Sequence, residues 1–535
     1  MQKNRVCLVI LDGWGIGPDY PGNAIKRAKT PTFDMLMATA PHTELSASGE
    51  AVGLPKGEDG NTETGHLNIG AGRVVYQDLP RINMSIASGD FYHNKAFLKA
   101  IEHVNKNNSR LHLLGLIGQG GVHSANEHLY ALLNFAKEQK LSQVYLHLIT
   151  DGRDSPPTSS PTYLTQVNDE IKHIGIGQIC TVIGRYYAMD RDHRWERIQV
   201  AYEALVAGSS NSNDLLATIA SRHAASETDE FIKPIILANT PRLSDNDAVI
   251  FFNYRIDRPR ELTRALSIPS PDYATTTSSF DPYAVKYSHS HLTAATPSSG
   301  FNRTKVLSNL LMVTMTEYEK KLPVEIAFPP EFVEMPLSRV IALSGRRQLK
   351  MAESEKERFV TYYFNGQREL AFPGEDIDIT PSPKVPTYDL QPQMSGDIQT
   401  RKLLSAIMGG IYDLIVINYP NPDMVGHTGN LEASIQAVEY VDSYLKQIYD
   451  TIMKNPDWSL LITADHGNVE EVINLETGTV DTEHSSFPVP LILTGVNWTN
   501  TRGHLHRGVL GDIAPTILKI MGIAQPSSMT GRSLL

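Results

Sequence analysis

Val6-Cys-Leu-Val-Ile-Leu-Asp-Gly-Trp-Gly15 opens the chain with six apolar residues and then an abrupt acid, Asp12. An unbroken aliphatic run of this length reads as a strand buried on both faces, as in the middle of a parallel sheet. The acid and glycine that follow mark its carboxyl end, where open α/β sheets place the groups that meet ligands. The same punctuation recurs. Apolar runs at 111–117, 144–149, 179–183, 248–252, 414–417 and 459–462 are each followed by polar or glycine-rich residues. Helical patterns lie between several of them, as at 126–138 and 431–453. The alternation predicts an α/β protein with largely parallel sheets.

With 535 residues the chain exceeds one ordinary core, and domains of about 100–200 residues make two to four the expected number. A net charge of −11 argues against nucleic acid held by general electrostatics, although a local arginine cluster can still receive a small anion. Two cysteines, Cys7 and Cys180, support neither a disulfide framework nor a thiolate metal site. No apolar run is long enough to span a membrane, so a cytoplasmic enzyme is expected. The Ser-, Thr- and Pro-rich stretch 267–303 reads as an extended crossing or loop, and a boundary is expected near 76–80.

The glycine-rich stretch Gly60-Asn-Thr-Glu-Thr-Gly-His-Leu-Asn-Ile-Gly-Ala-Gly-Arg73 carries a hydroxyl, Thr62, in a turn expected to lead into a helix. Helix-start N–H groups make a seat for an anion. Beside metal ions Thr62 is a candidate nucleophile; without them it is a helix cap. Candidate ligands follow strand ends: Asp12, Asp423-Met-Val-Gly-His427 and Asp465-His466-Gly-Asn468, with His484 further on. The i, i+4 spacing of Asp423 and His427 puts both on one face if that segment is helical. Together these residues suffice for two divalent ions ~3.5–4 Å apart. Mixed nitrogen and oxygen donors favour manganese or zinc over magnesium.

The middle of the chain carries another signature: Gly120-Gly-Val-His123, Asp151-Gly-Arg153-Asp154, Gly184-Arg185 through Arg191, and Asn253-Tyr-Arg255-Ile-Asp-Arg258, each just past a strand. Arginine forks suit carboxylate and phosphate, so this set reads as a seat for a small polyanion. Asp190, Asp192 and Asp257 could neutralise some of it. Asp154 could serve as acid or base toward a substrate hydroxyl, or as a salt-bridge partner. Lys356, expected to end a helix that precedes a strand over 359–364, could reach a phosphoryl group or could lie solvated.

These motifs, in this order and over nearly the whole chain, resemble the cofactor-independent phosphoglycerate mutases of the alkaline phosphatase superfamily. The resemblance rests on Leu-Asp12-Gly-Trp-Gly, Gly-His66-Leu-Asn-Ile-Gly-Ala-Gly-Arg73, Asp151-Gly-Arg-Asp154 and Gly184-Arg-Tyr-Tyr-Ala-Met-Asp-Arg-Asp192. Further matches are Asn253-Tyr-Arg-Ile-Asp-Arg258, Glu355-Lys356, Asn421-Pro-Asp-Met-Val-Gly-His427 and Thr463-Ala-Asp-His-Gly-Asn468. It implies an alkaline-phosphatase-like metal domain from both chain ends (1–76 and 311–535) and an inserted substrate domain (77–310). It also implies isomerisation of 3-phosphoglycerate and 2-phosphoglycerate, in glycolysis and gluconeogenesis, with two divalent ions, usually manganese. By the same resemblance Asp423, His427 and His484 would hold one ion. Asp12, Asp465, His466 and the Thr62 oxygen would hold the other. His123, Arg153, Asp154, Arg185, Arg191, Arg255, Arg258 and Lys356 would contact phosphoglycerate. A monomer is expected, without nucleic-acid or membrane partners. Two positions leave the family pattern: Thr62 stands where the family has serine, and Ala125 where it often has a second histidine. The alternatives are another metal-dependent phosphomonoesterase or phosphomutase of the superfamily, and a non-catalytic phosphoglycerate-binding paralogue.

Overall fold

The computed structural model describes residues 4–274, 300–498 and 505–535. The chain forms two compact units, one made of the residues up to Pro80 together with Glu331–Leu535, the other of Arg81–Pro330.

In the first unit Arg5–Leu11 is a central strand of an eight-stranded sheet. It pairs in parallel with Leu414–Tyr419 on one side and Trp458–Thr463 on the other, with Val9 opposite Ile417 and Ile462. Gln348–Glu353 and then Glu375–Thr380 extend the parallel part outward. Beyond Trp458–Thr463 come the antiparallel Val489–Thr494 and His42–Ser46, then Gly508–Val509. Every residue of Val6–Leu11 is buried, which explains the unbroken apolar run: each such side chain removed from water contributes about 1.5–3 kcal/mol. The 22-residue helix Leu431–Ile452 starts where the Asn430 side chain accepts from Ala433 N. Its buried positions Val438, Val441, Leu445, Ile448 and Ile452 recur at helical spacing and join the sheet core.

Two expectations are corrected in this unit. Residues 352–356 do not end a helix. Gln348–Glu353 is a buried strand and Ser354–Lys356 one 3-10 turn. Residues 359–364 do not form a strand; Phe359–Tyr363 is a π-helical turn. Gln348–Glu353 already has strands along both edges, so no place beside it is left. The aromatic segment instead lies on the helix Thr62–Ala71, where the absent Cβ of Gly70 would meet the Phe364 carbonyl. There Phe359 and Tyr363 stack one turn apart, ring centroids 5.6 Å.

The second unit has a seven-stranded sheet in the order Ile235–Ile236, Gln178–Gly184, Val144–Thr150, Leu111–Ile117, Ala248–Phe251, Leu311–Thr316, Glu325–Phe328. All neighbours are parallel except the short first pair. The boundary expected at 310/311 falls inside this unit, because Leu311–Thr316 pairs with Ala248–Phe251. Of the loop expected at 267–303, residues 275–299 lie outside the described residues. Among the described residues no helix is long and apolar enough to cross a membrane.

Candidate functional site

In the first unit the three central strands deliver their carboxyl ends to one place. Asp12 follows Arg5–Leu11, Asp423 lies in the short helix Asn421–Gly426 after Leu414–Tyr419, and Asp465 and His466 follow Trp458–Thr463. Gly13 has φ +74°, and a Cβ there would lie 2.9 Å from Asp423 Cα; only glycine lets the chain turn so that Asp12 and Asp423 stand side by side. Thr62 is the first residue of the helix Thr62–Ala71, whose cap is Asn61, accepting from Thr64 N at 3.0 Å. The Thr62 hydroxyl is therefore not spent on capping. Its Oγ1 lies 2.9 Å from His466 Nε2 and accepts from Lys356 Nζ at 3.1 Å. Lys356 Nζ also donates to Asp12 Oδ1 at 2.9 Å and Asp423 Oδ2 at 2.7 Å. The side chain is buried, so the alternative of a solvated lysine does not hold.

His427 and His484 complete the cluster. Their Nε2 atoms lie 3.2 and 3.3 Å from Asp423 Oδ1 and 3.1 Å from each other. The Nδ1 atoms of His427, His466 and His484 each face a backbone carbonyl, of Thr482, Gly467 and Gly60. A carbonyl only accepts, so each Nδ1 carries a hydrogen, and each Nε2, turned toward the carboxylates, is left to hold a proton or a cation. Three such nitrogens among three buried carboxylates form a set that calls for positive charge. Asp423, His427 and His484 bring their ligand atoms within 4.8 Å of one another, as do Asp12, Asp423 and His466, and Asp12, His66 and Asp465. Backbone-oriented imidazoles and hydrogen-bonded carboxylates are the arrangement that metal sites use, so this donor set fits divalent cations.

The electrostatics show the same demand. Burial pushes the Lys356 ammonium down, but Asp12 and Asp423 hold it well above its ordinary range. Burial likewise lowers the His466 imidazole, yet Asp465, Asp423 and Asp12 bring it to about 10. Burial raises the Asp423 carboxyl, and Lys356 with the neighbouring histidines holds it well below the usual carboxylate range. The hydrogen bond to Asp423 raises His427. In the protein alone, protons and the lysine supply the positive charge these carboxylates require.

The second unit gathers a separate cluster. Arg185, buried at the end of Gln178–Gly184, donates from Nη1 to Asp151 Oδ1 and Asp154 Oδ2, both at 2.5 Å, and from Nη2 to His123 Nε2 at 2.9 Å. Burial and then the Arg185 cation lower His123 to about 3, so it is neutral. Burial raises the Asp154 carboxyl, but Arg185 brings it below its ordinary value, so it is an ionised acceptor. Arg191 Nη1 and Arg255 Nε both donate to Asp257. Arg258 donates to the Met189 carbonyl, and Arg153 stands 3.7 Å from Glu230. A cavity of about 140 Å³ is lined by Arg153, Arg185, Arg191 and Arg258 together with Arg194 and Arg197. Asp190 and Asp192 serve Arg194 and Arg197 rather than the expected binding set.

Several site residues have no role in the sequence reading. His66 is buried one turn after Thr62, with Nδ1 3.0 Å from the Thr62 carbonyl and 3.2 Å from Asp465 Oδ2. Asn418 donates to Asp12 Oδ2 at 2.7 Å, and Asn468 to Asp423 Oδ1 at 3.1 Å. The i+4 spacing from Thr62 is the signal for His66, and the strand-end position is the signal for Asn418.

Residues 82–320 match the family model described as BPG-independent PGAM N-terminus, and residues 315–489 match Type I phosphodiesterase / nucleotide pyrophosphatase. A 2,3-bisphosphoglycerate-independent phosphoglycerate mutase of Thermomicrobium roseum is 46% identical, over 99% of this chain and 98% of its own. One from Chloroflexus aggregans is 47% identical over 100% and 99%. The chain belongs to the 2,3-bisphosphoglycerate-independent phosphoglycerate mutase family. A solved structure of Leishmania mexicana phosphoglycerate mutase is similar over 99% of this chain and 97% of its own, at 28% identity and a TM-score of 0.57. In this member of the phosphoglycerate mutase family the Thr62 hydroxyl stands against both Lys356 and His466.

Proposed function

We propose that this protein isomerises 3-phosphoglycerate and 2-phosphoglycerate by way of a phosphothreonine at Thr62. The observation that carries the reading is the Thr62 hydroxyl, free of capping and set 3.1 Å from the buried ammonium of Lys356. Asp423, His427 and His484 would hold one divalent ion, and Asp12, Asp465, His466 and the Thr62 oxygen a second, with manganese the metal that suits these donors. When bound, the ions would make the hydroxyl more acidic and neutralise phosphoryl charge.

The residues of the chain divide the work. Thr62 Oγ attacks phosphorus. The Oγ–P bond forms as the bond from phosphorus to the 3-oxygen breaks, with Thr62 losing a proton and the 3-oxygen gaining one. Lys356 sets positive charge where the phosphoryl oxygens gather charge. Arg153, Arg185, Arg191, Arg255 and Arg258, with His123, retain glycerate, which separates a mutase from a phosphatase. The 2-hydroxyl then attacks the phosphothreonine: the bond from phosphorus to the 2-oxygen forms as the Thr62 Oγ–P bond breaks, and the Thr62 oxygen regains a proton. Asp154, ionised beside Arg185, takes the 2-hydroxyl proton and serves the 3-oxygen in the reverse direction.

Incubation with 3-phosphoglycerate and manganese, with no 2,3-bisphosphoglycerate added, yields 2-phosphoglycerate in this reading. Free phosphate and glycerate as the only products would overturn it in favour of a phosphomonoesterase.

A further inference from the structure

The arginines of the second unit repel one another. Burial and then Arg185 and Arg191 push the Arg258 guanidinium below its ordinary range. Within this group Arg191 and Arg255 come from different segments, one after the short helix Arg185–Ala188 and one after the strand Ala248–Phe251. They share a single carboxylate. Asp257 accepts from Arg191 Nη1 at Oδ2, 2.9 Å, and from Arg255 Nε at Oδ1, 3.1 Å. Among the described residues no second carboxylate pairs with either guanidinium. The side chains are 41% (Arg191), 43% (Arg255) and 24% (Asp257) exposed, so a small anion can reach them. One carboxylate contacting two guanidiniums is also the contact that the carboxylate of a 2- or 3-phosphoglycerate would make.

We infer that Asp257 is an internal stand-in for the substrate carboxylate, which neutralises Arg191 and Arg255 until phosphoglycerate displaces it and so raises the concentration at which any anion occupies the site. The inference rests on the reading of these arginines as substrate-binding. Displacement costs every incoming anion the same free energy. Phosphoglycerate meets that cost with its other contacts. An inorganic anion has only the arginine contact, so its binding is pushed toward concentrations at which it does not occupy the site. Asp192 lines the same cavity as Arg191, but its partner is Arg194, which Asp190 also serves; it stands in for nothing.

The test is equilibrium titration of the full-length protein with sulfate, followed calorimetrically and by the rise in melting temperature. Asp257→Asn and Asp257→Ser are compared with the parent and with Asp192→Asn. Both Asp257 variants should bind sulfate about tenfold more tightly or better, the scale of one charge-assisted hydrogen bond released. Asp192→Asn should match the parent. Adding Arg255→Ala to Asp257→Asn should abolish the gain, which locates it. Unchanged or weaker sulfate binding in both Asp257 variants would overturn the inference. So would an equal gain in Asp192→Asn, which would mark a general effect of net charge. Because sulfate binding is read without turnover, failure of the mutase reading would show separately, as a parent that binds sulfate but makes no 2-phosphoglycerate.

Discussion

His427 Nε2 and His484 Nε2 lie 3.1 Å apart, each imidazole having committed its Nδ1 to a backbone carbonyl. Two lone pairs that close repel unless a cation or a proton stands with them. The pair therefore encodes a demand for positive charge in its hydrogen bonding. Removing divalent ions with a chelator should abolish turnover and lower the melting temperature, and manganese should restore both. A melting temperature indifferent to chelation would contradict this.

Thr62 offers a sharp test of chemistry. Thr62→Ala keeps the Asn61 cap but has no hydroxyl, so turnover should fall by about 10⁴-fold or more, as for loss of a covalent nucleophile. Thr62→Ser should retain or improve it, since serine keeps the hydroxyl without the methyl that restricts χ1. Intact mass after a rapid substrate quench should show an added phosphoryl group in the parent and in Thr62→Ser alone. Full activity in Thr62→Ala would remove this residue from the mechanism.

Lys356 neutralises buried Asp12 and Asp423. Lys356→Met would leave those carboxylates without their cation, and breaking a buried pair in this way costs about 3–5 kcal/mol. The variant should melt well below the parent in chelator, and manganese should recover much of the difference while turnover stays low. A variant as stable as the parent in chelator would show that other groups carry that charge.

Arg185 serves Asp151, Asp154 and His123 from one planar fork. Lysine keeps the charge but cannot make the three contacts. Arg185→Lys should lower kcat/KM by about 10²- to 10³-fold, the worth of two charge-assisted hydrogen bonds. Metal affinity, measured by titration, should be unchanged. Equal losses in both would point to damage to the fold.

Lys350 is a buried lysine away from the chemistry. Among the described residues its Nζ has no hydrogen-bond partner, and it lies 3.5 Å from the centroid of the Phe364 ring. Burial lowers it from 10.5 to about 7. The unfolded chain thus binds more protons between pH 7 and 10.5, so this group's penalty is full below pH 7 and fades as pH rises through that window. Lys350→Met should stabilise the protein at pH 7 by on the order of a few kcal/mol. The gain should shrink toward pH 10 in paired denaturation curves. A methionine variant less stable at pH 7 would refute the assignment.

Asp12, Asp465 and His466 were legible because each follows an apolar run, and strand ends of parallel sheets point their next residues to one edge. The segment 348–364 was not. Gln348 and Lys350 are buried polar residues in a strand next to the sheet edge, so the apolar signature of burial is missing there. The neighbouring Phe-Val-Thr-Tyr-Tyr-Phe run has strand propensity, which tertiary packing on the helix Thr62–Ala71 overrides. Asp257 was legible only as one of three carboxylates that could neutralise the arginines, because spacing does not say which two guanidiniums it serves. His66 and Asn418 had only weak signals, an i+4 spacing and a strand end, since the carboxylates they support lie hundreds of residues away.

The order of strands in the first unit has a consequence for synthesis. Arg5–Leu11 is made about 400 residues before its two neighbours, Leu414–Tyr419 and Trp458–Thr463. An apolar segment therefore leaves the ribosome with no sheet to join until most of the protein exists, while Arg81–Pro330 can already collapse around its own strands. Non-local pairing of this kind is slow and leaves sticky chain exposed. That strand is thus the natural client for a chaperone, and a chain cut before Leu414 should aggregate rather than fold as a smaller protein.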